Sequence, residues 1–279
     1  MKTLLLPLSF LCSFVLQAQY YYNDIIGTLE TNRQMKTLLG NKVKTVSAAG
    51  YDQRGAKTSD FSEYQEVKES GKALRISSFN NLNKTVNYLK FDPNGRLIRS
   101  TDTSAAIESE TLYEYDANGR ITSIQNTAKD SANDFNQTEV HRWVYTSSGK
   151  PEKMWRIINK TDSLEIRFTT DEEGNTADEK TYRYGRETGV IYYYYDDKKR
   201  LSDIVRYNKK AKKLLPDILF EYDDSDRIIQ KITTTSSVSL SYLTWRYIFD
   251  DKGLKTKEAL FNKDKQLTGK IEYSYTFGQ

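Results

Sequence analysis

Side chains able to carry chemistry are few in this chain of 279 residues. His141 is its one histidine. A general base needs an orienting acid and a nucleophile beside it. Nothing near His141 in the sequence marks either partner, so a structural role is expected. Acids occur as neighbours at Asp196/Asp197, Asp223/Asp224 and Asp250/Asp251. Paired acids can hydrolyse glycosides, but each pair sits in a turn-like string that accounts for it without catalysis. Asp224 with Asp226, or Asp171 to Glu173, offer oxygen ligands to calcium, but no complete D-x-D-x-D-G loop accompanies them. No catalytic residue, metal ligand or cofactor is therefore expected. The aromatic residues remain, with 21 Tyr against 11 Phe and 3 Trp. Tyr192 to Tyr195 form an unbroken run, and Tyr192 and Tyr194 fall where related segments carry charge. Exposed rings stack on sugars or peptides. Tyr192, Tyr194, Trp143, Trp155 and Trp245 are the candidate ligand-binding residues.

The elements that position these residues come from a repeat. An aromatic-Asp-x-x-Gly string occurs at Tyr51-Asp52 to Gly55, Phe91-Asp92 to Gly95, Tyr115-Asp116 to Gly119 and Phe249-Asp250 to Gly253. Degenerate copies begin at Tyr145, Thr170, Tyr195 and Tyr222. A large residue stands two positions before each anchor, as in Leu89, Tyr113, Trp143, Phe168, Tyr193, Phe220 and Tyr247. Spacing of two puts both on one face of a strand. The residues between them are mostly charged, so the other face is wet. The Asp can hydrogen-bond the backbone two residues on, and the Gly supplies a positive φ that closes the turn. Each unit reads as a β-hairpin. The expected fold is mainly β: an antiparallel hairpin meander of about 16 strands, curled or barrel-like, with one N-terminal α-helix.

The flanking sequence sets three segments. Residues 1–18 combine Lys2, an apolar run from Leu4 to Leu16 and a small residue at Ala18, the pattern of a secretory signal peptide. Cys12 lies inside that run, so the remainder carries no cysteine and an exported protein is expected. Residues 19–42 read as an amphipathic helix, with Ile25, Ile26, Leu29, Met35, Leu38 and Leu39 near helical spacing. Asn23 or Asp24 would cap its start and Gly40 end it, and it would cover the apolar sheet face or plug an end. Residues 43–279 form the repeat domain. The formal net charge of +4, with no basic block beyond Lys209-Lys210 and Lys212-Lys213, gives no case for nucleic acid. No apolar run of about 20 residues follows the leader, so no transmembrane helix is expected.

The strings YEYDANGRI (113–121), KFDPNGRL (90–97) and FEYDDSDRI (220–228) resemble the YD repeats of the RHS family. The likeness covers roughly residues 43–279, and extends to small secreted YD-type proteins of Bacteroidetes. It implies hairpin shells and an association with ligand or carbohydrate binding. The expectation is an exported, non-enzymatic β-repeat protein that binds a glycan or a surface protein, in the periplasm, at the cell surface or outside. Two alternatives stand beside it. One is a carboxylate-dependent glycoside hydrolase. The other is an outer-membrane β-barrel, against which Lys255, Lys257, Glu179 and Asp203 interrupt any apolar band.

Overall fold

The computed structural model describes residues 19–81, 83–103, 107–130, 132–208, 211–235 and 241–278. The leader of residues 1–18, with Cys12, and the pair Lys209-Lys210 lie outside the described residues. The strands are β1 (Val43–Asp52), β2 (Lys57–Lys68), β3 (Ala73–Asn80), β4 (Asn83–Phe91), β5 (Leu97–Thr103), β6 (Glu108–Tyr115), β7 (Ile121–Asp130), β8 (Phe135–Tyr145) and β9 (Pro151–Ile158). The series continues with β10 (Asp162–Thr170), β11 (Thr176–Arg183), β12 (Arg186–Tyr195), β13 (Leu201–Asn208), β14 (Lys213–Tyr222), β15 (Ile228–Thr235), β16 (Ser241–Phe249), β17 (Lys255–Phe261) and β18 (Leu267–Phe277). Each pairs antiparallel with the next, and β18 returns to β1 with Ala48 opposite Tyr273, so the sheet closes into a barrel of 18 strands. The excess over the expected 16 comes from residues 43–91. Between the full copies of the string at Tyr51 and Phe91, that stretch folds into four strands, β1 to β4.

The repeat string acts as a turn and as a clasp between hairpins. Asp116 Oδ1 accepts the backbone N–H of Asn118 and of Arg120, both at 2.9 Å, and its Oδ2 takes Arg120 Nε at 2.7 Å. Asp92, Asp196 and Asp223 repeat this set with Arg96, Arg200 and Arg227. Each arginine then lies over the anchor ring of the next hairpin: Arg96 over Tyr115, Arg120 over Tyr145, Arg200 over Tyr222 and Arg227 over Phe249, at 4.7–4.9 Å. The anchor hydroxyl donates back to the previous hairpin, as in Tyr115 to Leu97 O at 2.6 Å and Tyr145 to Ile121 O at 2.7 Å. Tyr195, Tyr222 and Tyr275 do the same. This bond explains why the anchor favours Tyr over Phe. Gly149, at φ 83°, has a second constraint, because a Cβ there would stand 2.9 Å from the Arg120 guanidinium.

The barrel has two unlike mouths. The turns after β4, β6, β8, β10, β12, β14 and β16 ring one of them. The turns of Asp52–Gly55 and Asn262–Lys265 use the same hydrogen bonds at the opposite mouth. Each repeat turn also shifts the register where the return strand begins, as between Glu114 and Tyr115 or between Tyr194 and Tyr195. Inward positions on return strands therefore fall at the first, fourth and sixth residues, such as Ile121, Ile124 and Asn126. A strict alternation misassigns these strands. Glu179 and Lys255, expected to interrupt the outer wall, both point inward. Glu179 is buried, and Lys255 contacts Glu258 and the rings of Tyr247 and Tyr273. Lys257 and Asp203 do face outward, Lys257 pairing with Glu272 across the strands.

The N-terminal segment fills the lumen. A π-helical stretch (Tyr21–Ile26) runs into α1 (Gly27–Gly40). Tyr20, Tyr21 and Ile25 pack on Ile121, Trp143, Met154 and Phe168, while Tyr22 and Ile26 pack on Tyr193, Ile204 and Phe220. Helix α1 lies at the mouth ringed by repeat turns, with Met35 and Leu38 on Phe91, Leu97 and Leu254. Asn32 Oδ1 accepts the Leu97 amide at 2.8 Å, Arg33 donates to Asp226 O and Asn41 to Lys252 O. The helix starts earlier than expected and has no side-chain cap, since Asp24 is drawn to the wall instead. Leu29 and Leu39, assigned to the apolar face, are exposed, because the barrel mouth covers only the stripe through Met35 and Leu38.

Candidate functional site

The lumen holds a charged cluster around the N-terminal segment. His141 Nδ1 lies 2.7 Å from Asp24 Oδ2, and Nε2 lies 2.9 Å from Glu139 Oε1. Arg156 grips Glu139 with two bonds of 2.8 and 2.7 Å, and Trp143 Nε1 donates to Asp24 at 3.1 Å. Burial alone would lower the His141 pKa, but the carboxylates of Asp24 and Glu139 outweigh it and push it to about 9. Glu139 is held down at about 2, its bonds from His141 and Arg156 overcoming burial. Glu179 is the reverse case. Burial raises it to about 7, although Tyr21 N and Tyr193 OH donate to its Oε2 at 2.9 and 2.8 Å. These groups resemble a catalytic cluster in composition, but His141 and Glu179 are sealed in the interior. Asp24 and Tyr21 come from the plug, far away in sequence, whereas Glu139 stands two places before His141 and is a near partner that the sequence does not mark as one.

The five candidate aromatic residues do not form one site. Trp143 and Trp245 point inward and are only 4% and 5% exposed. Trp143 stacks on Phe168 with centroids 5.1 Å apart, and Trp245 packs on Leu260. Neither can touch a ligand in this state, because Trp143, two before its anchor, and Trp245, four before its anchor, both stand at core positions of their strands. Trp155 lies half-buried on the outer wall between Arg142 and Glu165. Tyr192 and Tyr194 also face outward, on β12. There Tyr192 stands between Asp178 and Val205, and Tyr194 opposite Asp203. Tyr194 is 48% exposed, and Tyr207 and Leu214 extend the patch at 55% and 47%. Asp178 Oδ1 is buried without a hydrogen-bond partner. The two phenol rings thus stand on one face between a largely buried carboxylate, Asp178, and Asp203.

The acid pairs take other roles. Asp196, Asp223 and Asp250 are consumed by their turns. Asp224 pairs with Lys198, Asp226 with Arg200 and Glu173 with Lys199. They line a rim, and among these acids Asp223 borders a hollow with Arg227, Arg246 and Phe249. The repeat-turn residues Asp52, Gly55, Asp92, Gly95, Asp116, Gly119, Asp250 and Gly253 all stand in hairpin turns. A second surface feature is a hollow of about 740 Å³ across β18, β1, β2 and β3, floored by Ser47, Ala49, Ser62 and Ser77 beside Tyr64 and Phe79.

Charge also crosses the outer wall. Arg99 pairs with Glu110, Arg167 with Glu165 at 2.9 Å, Lys180 with Asp178 at 3.6 Å and Lys257 with Glu272 at 3.6 Å. A lipid-facing charge near the bilayer midplane costs about 2–4 kcal/mol, so this wall does not favour an outer-membrane barrel. No described helix is long and apolar enough to cross a membrane.

Residues 91–131 match the RHS repeat family, and the turn and clasp within that segment recur further along the chain at Asp196 and Asp223. The chain is thus a closed antiparallel barrel with an RHS-repeat match at residues 91–131. Among solved structures it is similar to a porin-like protein from Bacteroides uniformis, at 12% identity over 84% of this chain and 98% of that one, with a TM-score of 0.43. It is similar to a porin-like protein from Bacteroides vulgatus at 13% identity over 84% of this chain and 98% of that one, TM-score 0.29. The Photorhabdus luminescens Tc holotoxin pore matches at 12% identity over 77% of this chain and 15% of that one, TM-score 0.31. No curated protein matches.

Proposed function

We propose that this barrel is an exported, non-enzymatic binding protein of the cell envelope or surface, and that its outer wall recognises a glycan. The patch on β12 and β13 carries the reading. Tyr192 and Tyr194 offer ring faces, and Asp203 offers an acceptor opposite Tyr194, which is the pairing a sugar's C–H face and hydroxyls require. The lumen is a packed core with a helix across one mouth, which leaves the outside for recognition. The leader-like residues 1–18 and the cysteine-free remainder support export. Titration of glycans selected on an array against the protein and its Tyr194→Ala variant tests this reading. The expected result is binding that the variant loses. Equal binding by both would refute the patch.

A further inference from the structure

The N-terminal segment meets the wall through groups that titrate, and they surround it. Strand β8 contributes Glu139, His141 and Trp143, β9 Arg156, β11 Glu179, β12 Tyr193 and β15 Lys231. The segment contributes Tyr20, Tyr21, Tyr22 and Asp24, and α1 adds Glu30. Geometry fixes the proton on the histidine. Both ring nitrogens lie against carboxylates at 2.7 and 2.9 Å, and a carboxylate only accepts. Both nitrogens must therefore carry hydrogen. A neutral ring would serve one carboxylate and turn a lone pair on the other. Glu139 would keep its two bonds from Arg156. Asp24, which belongs to the segment, would keep only the single bond from Trp143 Nε1, so the loss falls harder on it.

Glu179 adds a second proton. Its Oε2 holds the Tyr21 amide and the Tyr193 hydroxyl, while its Oε1 is buried without a hydrogen-bond partner. A neutral acid fits that site better than an anion. Ionising it sets another negative charge in the lumen near Asp24. Lys231 lies 3.1 Å from the Tyr22 hydroxyl and faces Glu30, but burial lowers its pKa, so losing its proton favours the plugged state and opposes release.

We propose that residues 20–26 are a proton-latched plug, held in the lumen while His141 is charged and Glu179 is neutral, and freed at alkaline pH while the barrel wall stays folded. The latch groups change charge in one window. Burial raises Glu179 to about 7, and the paired carboxylates place His141 at about 9, so both hold their protons more tightly with the plug in place. Release would open the aromatic lumen as a new surface. The idea is independent of the glycan reading, which concerns the opposite face of the wall.

Hydrogen exchange on the full chain tests it, with rates corrected for the pH dependence of the chemistry. Between about pH 6 and about pH 9.5, protection of residues 21–26 should fall at least about tenfold, while β8 to β12 keep theirs. Glu179→Gln should move the loss to higher pH. His141→Gln should free the segment already at about pH 6. Should that variant fail to fold, the exchange of the unsubstituted chain and of Glu179→Gln still decides. Protection of 21–26 that holds through about pH 9.5, or that is lost only together with the wall, would overturn the latch.

Discussion

Replacing Glu179 by Gln should change how stability depends on pH. The carboxyl is fully buried, and burial lifts it from 4.5 to about 7. It binds its proton more tightly folded than unfolded. Its contribution is therefore complete below about 4.5 and is lost as pH rises through about 7. A shift of about 2.5 units corresponds to about 3 kcal/mol at about 1.4 kcal/mol per unit. Gln copies the neutral acid. Its carbonyl can accept the bonds from Tyr21 and Tyr193, and its NH₂ takes the place of the unpartnered Oε1, at a cost of about 1–3 kcal/mol that does not vary with pH. Urea unfolding of both proteins at about pH 4.5 and about pH 8.5 gives the four stabilities needed. His141 also loses stability at the alkaline end, but it does so in both proteins and largely cancels. Between the two pH values the variant should gain about 3 kcal/mol relative to the parent. A difference that stays constant would refute the burial argument.

Other outcomes follow from the clasp and the wall. Tyr145→Phe keeps the ring under Arg120 but loses the bond to Ile121 O, and should cost about 1 kcal/mol in denaturant unfolding. Gly149→Ala, at φ 83° with Arg120 2.9 Å from the new methyl, should cost about 1–3 kcal/mol, whereas Gly189→Ala meets nothing within 4 Å and should change stability by less than about 0.5 kcal/mol. Acrylamide should quench Trp155 alone at neutral pH, so a Trp155→Phe variant should show almost no quenchable fluorescence.

Much of the fold is legible in the residues. The large residue two places before each anchor, from Leu89 to Tyr247, marks the inward face, and Asp-x-x-Gly marks the turn. Two features escape that reading for physical reasons. The bulge at each repeat turn moves the inward face of the return strand by one residue, so Glu179 and Lys255 read as outward. Closure brings together residues far apart in sequence: Asp24 reaches His141 across 117 positions, and the plug's Tyr21 reaches Glu179 across 158. The candidate site is legible in part. Tyr192 and Tyr194 stand out because they replace charges on the wet face, and they do face outward. Trp143 and Trp245 sit at the core spacing, which already assigns them to packing.

The claim that the outer wall of β12 and β13 binds glycans is tested most directly by a glycan array probed with labelled protein, its Tyr192→Ala/Tyr194→Ala double variant and a Tyr64→Ala control from the opposite hollow. The account predicts a defined set of glycans bound by the parent and the control and lost by the double variant. Binding that the double variant retains, or that only Tyr64→Ala removes, would contradict it.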